Sequence, residues 1–359
     1  MAEWSIAPHP KCGVRASVPR VRIPPSPPKI SKRGKKTVQN WENNKSFSQK
    51  LPRFQTSIDS TSLGAFKQCA RYYYYSIVCG YTKIGVQIHL DFGSAAHHVS
   101  ENYQRLRSQD VGHEDALEAT VVKALSGTWD YKANAPSFDD PQKNRLSLIR
   151  FAVEYLDHYE KQGSPLKTLQ LENGKPAVEL TFLFDAGFRS MTNETISLCG
   201  HIDRLVAFND DIFIADLKTT LEAISSKYAE RFTPDNQFTL YTIAGRVALG
   251  VPARGILLDA AQIGVNFVRF QRFPVYRPQP VLDEWLQALP YWVSLMESCA
   301  VVAEPMPNPE AAYPQNDKAC GLYGGCQFRE ICGRSPLARK PIMDATFQIR
   351  RWDPAGEPR

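Results

Sequence analysis

The segment that decides the fold is Ile214–Thr220, IADLKTT. The apolar run before Asp216 reads as a buried strand, and an unpaired carboxylate is costly to bury. Lys218 follows two residues on. Side chains alternate along a strand, so Asp216 and Lys218 project to the same side. Upstream, ISLCGHIDRLVAF and DIFIADLKTT read as two strands joined through NDD as a hairpin. With Asn209 and Asp210 as a two-residue loop, Phe208 faces Asp211, and counting back pairs Asp203 with Asp216. Directly paired residues share a face, so on this register Asp203, Asp216 and Lys218 converge, whereas a three-residue loop would part them unless a bulge restored the register.

Two adjacent carboxylates repel unless something neutralises them. A hard divalent cation does so, and Mg²⁺ is typically held by one or two carboxylates with waters and substrate phosphate. Beside such an ion, Lys218 can orient or help deprotonate an attacking water, or stabilise charge on a phosphate. A purely structural Asp/Asp/Lys ion-pair cluster has the same residues, and D-x-K is too short a pattern to separate the two readings.

The 359-residue chain is long enough for one large domain or two ordinary ones. Its 43% hydrophobic content suits a globular protein, and no apolar run approaches the roughly 18 residues of a membrane span. The first residues lack the apolar core of a secretory signal, so a reducing cytoplasm is expected. Residues 1–53 carry 12 Lys/Arg, 2 Asp/Glu and eight prolines. They read as a disordered basic arm, a solvated tail or else a nucleic-acid or targeting arm. Of the net charge of +6, the arm holds +10 and the remainder −4. The folded body is expected over 54–335, with a tail over 336–359.

Along that body, TSLGAFKQCARYYYYSIV suits a helix, and Tyr72–Tyr75 read as packing on several sides, with base stacking as the alternative. FGSAAHHVSENYQRLR reads as a helix opened by Gly93 and Ser94 as N-cap. Residues from about Glu114 to Lys161 read as helical, and PAVELTFLFDAGF as a strand. PDNQFTLYTIAGRVAL reads as a helix with Asp235 near its cap, and ILLDAAQIGVNFVRFQRFPV holds at least one strand. VLDEWLQALPYWVSLMESCA reads as a helix interrupted near Pro290, before a loop-rich C-terminus with cysteines. No internal repeat and no G-x-x-x-x-G-K-[ST] phosphate loop are present, so the chain shows no motor of its own.

Five ordered segments carry a resemblance: SLGAFKQCARYYYY, GSAAHHVSE, GHIDR, IADLKTT and QFTLY, followed by the cysteine-bearing ACGLYGGCQFREICG. Over about residues 56–335 the arrangement resembles the PD-(D/E)xK nuclease superfamily. Within it, the likeness is to the RecB-type exonuclease branch with an iron–sulfur cluster, which includes the C-terminal nuclease of AddB and CRISPR-associated adaptation exonucleases. The resemblance implies an α/β fold with a restriction-endonuclease-like mixed sheet flanked by helices. It implies His97, Asp203 and Asp216 as ligands of Mg²⁺ or Mn²⁺, with the backbone carbonyl of Leu217, and Lys218 as catalytic. Gln237 and Tyr241 would support the site or the DNA strand, and for Tyr241 a structural role is the alternative. Glu101, one helical turn after His97, is a candidate partner of that histidine. His98 is turned about 100° away and is read as structural.

Cys320, Cys326 and Cys332 stand with five residues in each gap, and with Cys69 they make four thiolates, a donor set for iron–sulfur or zinc. The resemblance implies a [4Fe-4S] cluster clipping the C-terminus to the first helix. Its familiar spacing is C-x₂-C-x₅-C, and Ala70 stands where the family often has proline, so zinc stays open. Cys12, Cys79, Cys199 and Cys299 read as ordinary thiols. The expected activity is metal-dependent hydrolysis of DNA, as an exonuclease on single strands or ends, in recombination, repair, phage DNA processing or CRISPR adaptation. A helicase or another recombination partner would supply unwinding. A catalytically idle DNA-binding or scaffold subunit and a structural zinc protein are the alternatives.

Overall fold

A computed structural model of the chain describes residues 20–21, 45–85, 87–161 and 166–355. The helices that matter below are α1 Ser60–Gln68, α2 Ile88–Arg107, α3 His113–Gly127, α4 Arg145–Lys161, α5 Asn236–Val247, α6 Gln279–Ala303 and α7 Pro336–Thr346. The main strands are β1 Val178–Arg189, β2 Thr195–Phe208, β3 Asp211–Thr220, β4 Gly255–Ile263 and β5 Val268–Tyr276.

These strands form a mixed sheet in the order β5-β4-β3-β2-β1. The β3–β4 pair is parallel and the other three pairs are antiparallel. Short strands Ser57–Ile58 and Lys167–Thr168 also pair with β2. The β2–β3 loop is the two residues Asn209 and Asp210, both at positive φ (48° and 65°), the conformation that a tight hairpin turn requires. Phe208 therefore faces Asp211, and the ladder runs back to Arg204–Ala215. The register expected from the sequence holds.

Alternation along the strands divides the core. Leu205, Ile214, Ile256 and Leu258 pack with Leu63 of α1, Phe238 of α5 and Val293 of α6. Leu217, Ala261 and Ile263 pack on the opposite layer with Ala96 and Val99 of α2, Ala116 of α3 and Phe151 of α4. The outcome is a mixed sheet with helices on both faces.

Several elements differ from the sequence reading. Folded structure begins before Phe54: Phe47 and Leu51 are buried, and Ser48 donates to Glu194. The rest of the arm lies mostly outside the described residues. At the other end, 336–355 is no free tail: α7 packs Met343 into the core, and Phe347–Ile349 pairs with Tyr81–Lys83. Apolar residues too sparse to give a periodic signal anchor both ends. Helix α2 starts at Ile88, with the Asp91 carboxylate accepting the Gln87 N–H, so Gly93 and Ser94 are interior. The region after Glu114 is two helices, separated by a small β-pair at Trp129–Asp130 and Ala135–Pro136. Helix α6 runs unbroken through Pro290, because buried Leu289, Val293 and Met296 on one stripe outweigh the hydrogen bond that proline forfeits. Conversely, the first helix does break, at Cys69 (φ −164°, ψ 115°). It resumes at Ala70–Tyr73 and a π-helical turn, Tyr74–Val78.

Candidate metal and catalytic site

The site forms where the central hairpin forks. Pairing of β2 with β3 ends at Arg204–Ala215, one step before Asp203 and Asp216. There the Asp203 carboxylate accepts the Leu217 N–H at 3.1 Å, a donor left over where the ladder stops. The gap admits His97 from α2 in the opposite layer, with Nδ1 3.1 Å from Asp203 Oδ2.

The sequence reading missed one member of this group. Glu179 of β1 places a carboxylate so that its oxygen, a ring nitrogen of His97 and an oxygen of Asp203 lie within 4.8 Å of one another. Val178 pairs with Arg204 and Leu180 with Ile202, so Glu179 stands opposite Asp203. A β-bulge between Asp185 and Arg189 displaces the register by two residues, so counting from the β1–β2 turn would have put Thr181 there. Glu179 adopts φ 49°, unusual for a residue with a side chain, and makes no hydrogen bond or ion pair among the described residues.

Asp216 and Lys218 build the other half. Lys218 Nζ lies 2.7 Å from Asp216 Oδ2 and donates to Gln237 Oε1 at 3.0 Å, while Gln237 Nε2 donates to Asp216 Oδ1 at 3.1 Å. Gln237 occupies the first turn of α5, fixed by Asp235, whose carboxylate caps the helix by accepting the Phe238 N–H at 2.8 Å. Gly200, three residues before Asp203, lets Phe182 close on the strand: a Cβ there would stand 2.9 Å from the Phe182 ring. Tyr241 packs edge-on against the same ring and is 8% exposed, which favours its structural role.

The electrostatics follow from this crowding. Burial pushes the Glu179 carboxyl up to about 7, and neighbouring Asp203 adds to the effect. Burial likewise raises Asp216 to about 6, against the pull of Lys218. Burial also acts to raise Asp203, but the His97 ring and the Leu217 N–H outweigh it and hold this carboxyl below its ordinary value. For His97, burial acts to lower the ring's basicity, and Asp203 overrides it, raising His97 to about 9. Burial opposes the Lys218 charge, yet Asp216 and Asp203 raise its pKa, so it is an ammonium at neutral pH. These are the marks of carboxylates short of positive charge. The donors suit a hard divalent ion: one imidazole and two carboxylates form the tight group, and the buried Asp216 carboxylate nearby is ion-paired to Lys218.

The other candidate residues fall out as follows. Glu101 makes no hydrogen bond to His97 among the described residues; its carboxylate is held by Arg105 at 2.7 Å and His98 at 3.5 Å, and it lines the small space beside His97, Glu179 and Asp203. The run Tyr73–Tyr75 is buried and therefore closed to base stacking. Instead Tyr74 packs on Tyr313 with centroids 4.6 Å apart, and Tyr75 on Phe328 at 5.2 Å. Those contacts draw the C-terminal segment onto the broken first helix and gather the cysteines. The Asn316 N–H donates to Cys69 Sγ at 3.3 Å, the Cys320 thiol donates to the Asn316 carbonyl at 3.8 Å, and the Cys326 N–H donates to the Cys320 carbonyl at 3.0 Å. Burial pushes the Cys326 and Cys332 thiols up, and the nearby Cys69 adds to both. Arg71 and Arg339 act in the opposite direction on Cys332 and would offset the charge of thiolates. Cys199 is buried and Cys79 is held against Tyr74, as expected of ordinary thiols; Cys12 lies outside the described residues.

The sequence profile of the PD-(D/E)XK nuclease superfamily matches residues 60–333, and the chain belongs to that superfamily. It is a nuclease by family. Among solved structures, it is similar to the crystal structure of a protein named "Putative exonuclease" from Eubacterium rectale, at 11% sequence identity and a TM-score of 0.42. The likeness covers 84% of this chain and 95% of that one. No curated protein matches the sequence. Among the described residues, no helix is long and apolar enough to cross a membrane.

Proposed function

We propose that the protein is a DNA nuclease of the RecB type, dependent on Mg²⁺ or Mn²⁺ and acting at strand ends. Its C-terminal segment is pinned by a [4Fe-4S] cluster on Cys69, Cys320, Cys326 and Cys332. The observation that carries the reading is the juxtaposition of the His97–Asp203–Glu179 group with the Lys218–Asp216–Gln237 triangle at one fork in the sheet. A divalent ion held by His97, Asp203 and Glu179, with Asp216 beside it, would polarise the scissile phosphate and make water a nucleophile near neutral pH. Lys218, fixed by Asp216 and Gln237, supplies an ammonium to the phosphate oxygens as charge builds on them. Because Lys218 is protonated, it serves as a donor and counter-charge, not as the base.

The preference for ends follows the family resemblance; the buried Tyr73–Tyr75 add no stacking surface for bases. The test is degradation of end-labelled single- and double-stranded DNA with and without Mg²⁺ or Mn²⁺, with circular single strands alongside. Metal-dependent loss of linear DNA and survival of circles is the expected result. Equal loss of circles would exclude a requirement for ends. For the cluster, iron and zinc are measured on anaerobically purified protein: about four irons per chain are expected, and zinc alone would replace the cluster by a structural zinc site.

A further inference from the structure

The first turn of α5 holds two lysines, and only one belongs to the site described above. Gln237 accepts from Lys218, while its neighbour Asn236 accepts from Lys67 of α1, with Nζ 2.9 Å from Asn236 Oδ1. The same oxygen accepts the Trp285 indole N–H of α6 at 3.0 Å. Lys67 Nζ also stands over the Trp292 ring, 5.0 Å from its centroid. Trp285 and Trp292 are seven residues apart, two turns along one stripe of α6, and both pack on the core. One amide and two indoles thus fix the place of this ammonium.

The two lysines differ in charge balance. Lys218 sits against the Asp216 carboxylate. Lys67 forms no ion pair among the described residues, and of the three donors of an ammonium Asn236 takes one. Burial holds its proton affinity below the ordinary value, with no carboxylate acting to offset it. A neutral donor would hold α1 to α5 as well, so the charge itself serves an anion that arrives from outside. Because Lys67 is already held in place, it loses little freedom when that anion binds. Beside it, Tyr291 packs edge-on against Trp292 with centroids 5.4 Å apart and is 61% exposed. Unlike the buried Tyr73–Tyr75, it offers a ring to solvent.

We propose that Lys67 and Tyr291 form a landing for a single DNA strand next to the metal group: Lys67 takes a phosphate near the scissile one, and Tyr291, backed by Trp292, stacks one base. The occupant follows from continuity, since one peptide link separates the residue that holds Lys218 from the residue that holds Lys67. The inference rests on the nuclease reading and adds a substrate class to it, an unpaired strand, because a base stacked inside a duplex has no free face for the tyrosine.

Binding of a short fluorescent single strand, and of its duplex, is measured by anisotropy on the full chain in EDTA, so that no cleavage intervenes. The variants are Lys67→Gln, which can still donate to Asn236, and Tyr291→Ala and Tyr291→Trp at the exposed position. Lys67→Gln should lower the slope of log affinity against log salt by about 0.7, the share of one phosphate on a single strand. Tyr291→Ala should weaken single-strand binding about tenfold with that slope unchanged, leave duplex binding as it was, and be rescued by Tyr291→Trp. An unchanged slope in a folded Lys67→Gln protein would overturn the proposal, and so would a Tyr291→Ala loss that is absent or equal on the duplex. Should Lys67→Gln fail to melt as a folded protein, the Tyr291 pair decides alone. A wild type that binds and cuts DNA while both variants bind as it does refutes the landing only, whereas a wild type that neither binds nor cuts refutes the nuclease reading.

Discussion

At the residue scale, the fork in the hairpin sets the division of labour. Lys218→Ala removes the ammonium at the phosphate, and cleavage should fall by about 10²–10³ or more, the usual loss for one transition-state donor. Gln237→Ala leaves both charges but frees them to move, so it should cost less than Lys218→Ala. Single-turnover rates on saturating DNA check this order, and a Gln237→Ala rate below that of Lys218→Ala would refute it. The titrating groups give a pH signature. Glu179, Asp216 and His97 all hold protons more tightly in the fold than their ordinary values near 4.5, 3.8 and 6.5. The metal-free folded state therefore binds more protons than the unfolded chain between about pH 4 and 9, and its stability falls as pH rises through that window. A divalent ion displaces those protons, so its stabilising effect should grow over the same range. Melting curves with and without Mn²⁺ at pH 5.5, 7 and 8.5 should diverge with pH; parallel curves would contradict the assignment.

Legibility in the sequence was uneven for identifiable reasons. Asp203, Asp216 and Lys218 were readable because a two-residue turn fixes the register of everything behind it. His97 and Gln237 needed the family resemblance, since neither is paired in the hairpin. Glu179 was hidden by the bulge between Asp185 and Arg189, which no local pattern announces. Asp259 sits in a strand buried from end to end, where an apolar run conceals what its one acid faces. Glu101 pointed elsewhere because Arg105 and His98 on its own helix were the nearer partners.

At the scale of elements, the two chain ends matter more than their composition suggests. A chain beginning at residue 54 loses buried Phe47 and Leu51, each worth about 1.5–3 kcal/mol. Relative to one beginning at residue 45, its melting temperature should drop by roughly 5 °C or more. Equal melting would show that this segment's burial adds nothing. On the proposed cluster reading, Cys326→Ser should lose iron and release the segment packed on Tyr72 and Tyr75. Faster proteolysis between Tyr313 and Cys332 reports that release, and an unchanged cleavage pattern with full iron content would count against Cys326 as a ligand. Gly200→Ala places a methyl against Phe182 at 2.9 Å and should destabilise by about 1–3 kcal/mol, read from denaturant midpoints.

At the scale of the whole molecule, charge is separated from chemistry. Residues 1–53 hold +10 and the rest −4, so the body has little general attraction for a polyanion. Within the fork the cation Lys218 is paired with Asp216. The central claim is that His97, Asp203 and Glu179 hold the divalent ion on which DNA hydrolysis depends. The most direct measurement is the rate of release from end-labelled single-stranded DNA as Mn²⁺ is titrated, for the wild-type protein and for Asp203→Asn and Glu179→Gln. The wild type should cut only with metal, Asp203→Asn should stay at background, and Glu179→Gln should need markedly more Mn²⁺ for half-maximal rate. Cutting that survives EDTA, or that is the same in all three proteins, would contradict the account.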